Sequence, residues 1–233
     1  NMMLNVFAND MNTETFGEFS KLSSIDEYKI RLNPLPIVNE SFKKTKAPFI
    51  ILKPLVESQN AKIILEYFKN SKALWMYRDY KSTSASNISH FGNNNGIENL
   101  KPIVNNDMHN WRSENLPYHI KKIVVDYFSY NMNSYDAATL FWYVRNQFYF
   151  SLKLDENPNV LLVKYENLIQ SPASVITSIY SFANQNFPKR KIYKDIHKKS
   201  IDKGKNIILS PEIDKLARNL QDKLDNAHKN QKL

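Results

Sequence analysis

Residues 72–87 read Lys-Ala-Leu-Trp-Met-Tyr-Arg-Asp-Tyr-Lys-Ser-Thr-Ser-Ala-Ser-Asn, and this stretch is the most informative about the fold. The short apolar run Ala73–Tyr77 predicts a strand that is buried on both faces of a parallel sheet. Arg78 follows at the end of that strand, and Ser86 lies eight positions later, in the next predicted helix. A guanidinium fork, a hydroxyl and the free amides of a helix N-terminus all donate hydrogen bonds to anions. The stretch therefore predicts an anion pocket at the end of a buried strand.

Two further apolar runs predict strands of the same sheet, at residues 49–53 and at Val160–Lys164. The residues from 20 to 46 mix charges with two prolines, which favours a short helix followed by an irregular connection. Helical patterns cover residues 117–132, 137–152, 172–184 and 211–227. Strands that alternate with helices predict an α/β fold, with a parallel sheet flanked by helices.

Polar residues follow each predicted strand: Lys53 after the first, Arg78 and Asp79 after the second, and Tyr165 and Glu166 after the third. The carboxyl ends of parallel strands meet at one edge of a sheet, where ligands collect. Polar residues also follow buried strands for purely structural reasons, but three such groups on one edge favour a functional edge.

The 233-residue chain is long enough for one large α/β domain, so we expect a single domain over residues 1–233. Charges interrupt every apolar stretch, which predicts a globular protein without a transmembrane segment. No stretch has the pattern of an export signal, so a cytoplasmic location is expected. The absence of cysteine excludes disulfides, thiolate metal sites and a cysteine nucleophile.

The formal net charge of +9 favours anionic partners, although an AT-rich genome would produce the same excess of lysine. Basic patches interleaved with aromatic residues are not recognisable in the sequence, so nucleic acid is not an expected partner. Only four glycines occur, too few for a glycine-rich phosphate loop. The five histidines lack metal-binding spacing, and no metal is expected.

The strand that ends in Arg78, with Ser86 in the next helix, resembles the 3′-phosphate-binding signature of sulfotransferases that use 3′-phosphoadenosine 5′-phosphosulfate (PAPS). Ser82 and Ser84 compete with Ser86 for the same role. A second segment is also similar to this family: the strand Val160–Lys164, followed by Tyr-Glu-Asn-Leu and a proline-started helix. The resemblance implies a P-loop-NTPase-like sulfotransferase fold.

The resemblance also implies the chemistry. PAPS, an anionic nucleotide, would donate a sulfuryl group to a hydroxyl or amine of an unidentified small molecule or glycan. Glu18 is the first choice for the base that takes the acceptor's proton, with Glu57 and His90 left open. Lys53, in a Lys-Pro pair after the first strand, is similar to a family position that lines the cleft for donor and acceptor.

A basic triplet near the end of the chain, Lys203-Gly204-Lys205, is similar to the Arg-Lys-Gly element that closes over the 3′-phosphate in some family members. Lys198, Lys199 and Ser200 are alternatives for this role. The helical region of residues 91–154 is expected on the acceptor side of the domain, although its aromatic spacing fits core packing equally well.

The family's loop for the 5′-phosphosulfate is not recognisable, because no glycine precedes Gly17. We therefore expect an N-terminally truncated chain. A non-catalytic protein that binds nucleotides or polyanions, and keeps only the 3′-phosphate pocket, is the alternative hypothesis.

Overall fold

The structure, a computed structural model, describes residues 2–26, 29–188, 190–197 and 203–231. The strands among these residues are β1 (Thr13–Phe16), β2 (Ser23–Asp26), β3 (Lys29–Leu32), β4 (Phe49–Leu52), β5 (Ala73–Tyr77) and β6 (Val160–Lys164). The α-helices are α1 (Met2–Ala8), α2 (Leu35–Lys43), α3 (Ala61–Tyr67), α4 (Tyr80–Phe91), α5 (Asn95–Val104), α6 (Tyr118–Tyr127), α7 (Ser134–Ser151), α8 (Tyr165–Gln170), α9 (Pro172–Phe182) and α10 (Pro211–Asn230). No helix in these ranges combines the length and apolar composition needed to cross a lipid bilayer.

The chain divides into two compact units. The first contains the described residues up to 71 and residues 168–197, and the second contains residues 72–167 and 203–231. The expectation of one domain over the whole chain stays a prediction.

The first unit contains a parallel pair of strands, β1 and β4, in which Thr13 lies beside Phe49 and Phe16 beside Leu52. The strand β4 matches the apolar run in the sequence. The strand β1 was not predicted, because its sequence Thr-Glu-Thr-Phe has no apolar run. The tertiary structure supplies its burial instead: Phe16 packs in a core cluster with Leu22 and Val38.

The prediction of a short helix and an irregular connection over residues 20–46 is wrong in its first part. The strands β2 and β3 form an antiparallel hairpin there, and a helix, α2, follows only after Pro34. A distant side chain helps to hold the hairpin, because the Glu57 carboxylate accepts hydrogen bonds from the Leu32 amide and the Arg31 guanidinium. Residue propensities within the hairpin cannot predict this contact, because Glu57 lies about 25 positions further along the chain.

The second unit contains the parallel pair β5 and β6, whose bounds are those expected from the sequence. Ala73 lies beside Val160, and Tyr77 lies beside Lys164, so both strands end at the same level. The residues that follow, Arg78 and Tyr165, therefore begin at one edge of this pair. The expected common edge is confirmed for these two strands, whereas the third predicted strand, β4, pairs with β1 in the first unit. That the edge is functional stays a prediction.

The helices α6, α7, α9 and α10 correspond to the four helical patterns in the sequence. The 18-residue helix α7 is buried along most of its length and packs against α4, α5, α6 and α10. A close approach is at Gly96 of α5, where an added Cβ would lie 2.5 Å from the backbone nitrogen of Ala138. This aromatic helix is thus part of the core, as the packing interpretation of its sequence allowed.

Candidate functional site

The turn after β5 joins the strand directly to α4. Asp79 is the N-cap of this helix, and its Oδ1 accepts a hydrogen bond of 2.7 Å from the Ser82 amide. Such a cap fixes the first turn of a helix and orients its remaining amides. Beside the turn, the guanidinium carbon of Arg78 lies 4.9 Å from the centre of the Tyr165 ring, in cation–π geometry. The ends of β5 and β6 thus present a cation next to a helix N-terminus.

The three candidate serines of α4 lie in different environments. Ser84 is fully buried, and its hydroxyl is engaged with the Tyr80 carbonyl and the Thr139 hydroxyl, each at 2.8 Å. This serine is therefore a core residue. Neither the Ser82 hydroxyl nor the Ser86 hydroxyl has a hydrogen-bond partner within the described part of the chain, although Ser82 is buried and Ser86 half-buried. Both hydroxyls remain available to an anion.

The basic triplet 203–205 lies against the first turn of α4. Gly204 is buried, and a Cβ added to it would lie 2.4 Å from the carbonyl carbon of Lys81 and 2.4 Å from the Ser82 nitrogen. Only a glycine allows the two backbones to approach so closely. Its neighbours Lys203 and Lys205 are exposed. The fold thus brings two lysines from the end of the chain to the helix that follows Arg78.

Lys203 also lines an open pocket of about 370 Å³ in the second unit. The other lining residues are Asn133, Tyr135, Asn206, Ile207 and Ile208. The alternatives Lys198, Lys199 and Ser200 lie outside the described residues.

In the first unit, Glu18 and Lys53 form an ion pair. Both follow the carboxyl ends of the parallel strands β1 and β4, and the Lys53 amide extends their ladder with a 2.8 Å hydrogen bond to the Phe16 carbonyl. The Glu18 side chain is 15% exposed and the Lys53 side chain 38%. Two residues chosen separately from the sequence are therefore in contact.

The alternative bases are less available. Glu57 is buried, and its carboxylate accepts hydrogen bonds from the Arg31 guanidinium at 2.8 and 3.2 Å, the Leu32 amide at 3.1 Å and the Asn60 amide at 2.8 Å. Burial alone would raise the pKa of Glu57, but these donors outweigh it and hold the pKa below its usual value. His90 is exposed in the last turn of α4, against Phe91. Glu57 thus anchors the hairpin, and the choice of Glu18 as base stays a prediction.

Residues of α10 that the sequence did not single out surround the turn after β5. Asp225 accepts hydrogen bonds of 2.6 Å from the Tyr77 hydroxyl and from the Lys164 ammonium. Asp214 accepts one of 2.8 Å from the Tyr80 hydroxyl. Burial and the bond to Asp214 raise the pKa of Tyr80 to about 12.

A weak signal for these contacts is present in the sequence of α10. Asp214, Gln221 and Asp225 are spaced by seven and four residues, which places them on one face of a helix. That face borders the buried apolar stripe of the helix, which includes Leu220 and Leu224. Such polar positions are usually solvated, so the pattern alone did not indicate a role.

A protein-family model described as "Sulfotransferase domain" matches residues 18–210. Among solved structures, the chain is similar to "Sulfotransferase Domain from the Curacin Biosynthetic Pathway". The sequence identity is 17%, the match covers 81% of this chain and 67% of that chain, and the TM-score is 0.48. No curated protein sequence gives a significant match.

The family match extends over most of the chain and includes both the Glu18–Lys53 pair and the Arg78 turn. It also includes the basic triplet 203–205. The chain therefore belongs to the sulfotransferase domain family.

Proposed function

We propose that this protein transfers a sulfuryl group from PAPS to a hydroxyl or amine of an acceptor, which is a small molecule or a glycan. The observation that carries the proposal is the convergence of donors at the first turn of α4. Arg78 precedes the turn, the Ser82 hydroxyl has no partner within the described ranges, and Gly204 lies against the turn between two lysines.

This convergence suits a dianionic phosphate. Arg78 offers a planar fork of donors, Ser82 and Ser86 offer neutral hydroxyls, and Lys203 and Lys205 add charge without demanding a fixed geometry. The N-terminus of α4 contributes the positive end of the helix dipole. In our proposal these residues bind the 3′-phosphate of the donor.

Glu18 is proposed as the base and Lys53 as its cationic partner. When PAPS is bound, it supplies a sulfuryl group whose sulfur–oxygen bond to the 5′-phosphate can break. The Glu18 carboxylate accepts the acceptor's proton as the acceptor's oxygen or nitrogen bonds to sulfur, and 3′-phosphoadenosine 5′-phosphate leaves. The Lys53 ammonium pairs with the carboxylate and orients it before that step, and it offers donors to the negative charge on the transferring group. The ion pair favours an enzyme over a protein that only binds nucleotides.

Calorimetric titration with 3′-phosphoadenosine 5′-phosphate, compared with adenosine 5′-phosphate, tests the proposal. We expect the protein to bind the bisphosphate more tightly. The substitution Arg78→Ala should remove roughly tenfold to a hundredfold of that affinity, since a hydrogen bond to a charged group contributes about 1.5–3 kcal/mol. The affinity for adenosine 5′-phosphate should change little.

The matched control is Arg218→Ala. Arg218 is an exposed arginine of the same unit whose guanidinium pairs with Asp214 on α10. Its loss should leave both affinities unchanged. Equal binding of the two nucleotides by the unsubstituted protein, or equal losses for both in Arg78→Ala, would contradict the assignment of the 3′-phosphate site.

A further inference from the structure

The peptide group that joins Arg78 to Asp79 has both of its polar atoms held by side chains. Its carbonyl oxygen, on Arg78, accepts a 3.1 Å hydrogen bond from Nε1 of Trp142. Its N–H, on Asp79, donates a 3.2 Å hydrogen bond to Oε1 of Glu166. Trp142 is buried in the middle of α7, and Glu166 lies in the first turn of α8. Side chains from α7 and α8, which are distant from this turn in sequence, thus hold both polar atoms of one peptide group.

The next peptide group is held in the same way. The Tyr80 N–H donates a 3.1 Å hydrogen bond to Oε1 of Gln221 on α10. The Asp79 carbonyl accepts 2.9 Å hydrogen bonds from the hydroxyl and from the amide of Thr83. The three long-range contacts, from Trp142, Glu166 and Gln221, span 64, 87 and 141 residues of sequence.

Holding these two planes restrains the backbone at Arg78, and with it the direction of the Cα–Cβ bond from which the side chain starts. A peptide group is rigid, so holding both of its polar atoms restrains ψ of the residue before it and φ of the residue after it. Arg78 lies beyond the last residue of β5 and has no place in the strand ladder described for Tyr77 and Lys164. Beyond the end of the ladder, side-chain contacts therefore hold the backbone next to Arg78, the residue proposed to bind the phosphate.

From this arrangement we infer that Trp142, Glu166 and Gln221 are positioning residues, which hold the Arg78 turn in the geometry that selects a 3′-phosphate. The inference rests on the proposed function. A preformed site loses less conformational entropy when it binds, so release of the turn should weaken the contacts of Arg78 first. Binding through the rest of the nucleotide should be retained.

The test compares Trp142→Phe with Trp111→Phe by the ratio of affinities for 3′-phosphoadenosine 5′-phosphate and adenosine 5′-phosphate. Both tryptophans are buried in the second unit, but Nε1 of Trp111 has no hydrogen-bond partner within the described residues. The two variants therefore lose the same ring volume, and only the first loses the bond to Arg78. We expect Trp142→Phe to lower the ratio roughly threefold to tenfold, the value of one hydrogen bond, and Trp111→Phe to leave it unchanged.

A second pair of variants addresses Glu166. Glu166→Gln keeps an acceptor oxygen for the Asp79 amide and should preserve the ratio, whereas Glu166→Met removes the acceptor and should lower it. A purely structural role would reduce thermal stability in Trp142→Phe and Glu166→Met without a change in the ratio. That result overturns the inference and leaves the proposed function intact. If the unsubstituted protein itself shows no preference for the bisphosphate, the proposed function fails, and the inference fails with it.

Discussion

The close approach of Gly204 to α4 allows a direct test of the proposed role of the basic triplet 203–205 in binding the 3′-phosphate. In Gly204→Ala the new Cβ would lie 2.4 Å from the Lys81 carbonyl carbon and the Ser82 nitrogen, where ordinary contact begins at 3.4 Å. The atoms on the other side belong to a helix backbone and cannot rotate away. The triplet must therefore move by about 1 Å, and overpacking of this kind costs about 1–3 kcal/mol of stability.

The same displacement should weaken phosphate binding. At an effective dielectric constant of about 20, a lysine attracts a unit charge by about 4 kcal/mol at about 4 Å and by about 3.3 kcal/mol at about 5 Å. Each of Lys203 and Lys205 would then lose close to 0.8 kcal/mol, or roughly fourfold in affinity. We expect Gly204→Ala to bind 3′-phosphoadenosine 5′-phosphate about fourfold to fifteenfold more weakly at low ionic strength, where screening is small.

The control for stability is Gly96→Ala. Its Cβ would lie 2.5 Å from the Ala138 nitrogen, again against a helix backbone, and neither glycine has a positive φ that would add strain. Thermal unfolding should show a similar destabilisation for both variants, while calorimetry should show weaker binding only for Gly204→Ala. Affinity within about twofold of the unsubstituted protein in Gly204→Ala would refute the role of the triplet.

Three further outcomes are expected. Glu18→Gln should lower the turnover of sulfuryl transfer by about 10²- to 10⁴-fold without weakening nucleotide binding, measured with labelled PAPS and a panel of alcohols, phenols and amines; unchanged turnover would exclude Glu18 as the base. Because the folded pKa of Glu57 is depressed, its stabilising contribution is present above the ordinary value of about 4.3 and is lost as the pH falls through the folded pKa. The variant Glu57→Gln should therefore have a lower melting temperature at neutral pH, and its melting temperature should fall less steeply as the pH is lowered. Melting temperatures that fall in parallel for the variant and the unsubstituted protein would contradict this. Tyr80→Phe removes the hydrogen bond to Asp214 and should cost about 1 kcal/mol in denaturant unfolding, while an Asp214→Asn background should reduce that cost.

The sequence predicted the elements whose residues carry their own pattern. Both β5 and β6 have the expected bounds, since a continuous apolar run between polar residues is typical of a buried strand. The strand β1 and the hairpin of β2 and β3 lack such runs. Their conformation depends on partners far along the chain, such as Glu57, which no local window contains.

For the candidate site, too, some features could be predicted from the sequence and others depend on the tertiary structure. The sequence alone determined the family resemblance and the residue types, because Arg78 and its serines belong to one short stretch, Lys53 follows a predicted strand and Glu18 is implied by the resemblance. Only the tertiary structure decided which of them meet. In the folded chain Ser84 points into the core, Glu18 pairs with Lys53 and Gly204 lies against α4. The physical reason is that hydrogen bonds and steric contacts act over a few ångströms in space, and residues so close can be more than a hundred positions apart in the chain.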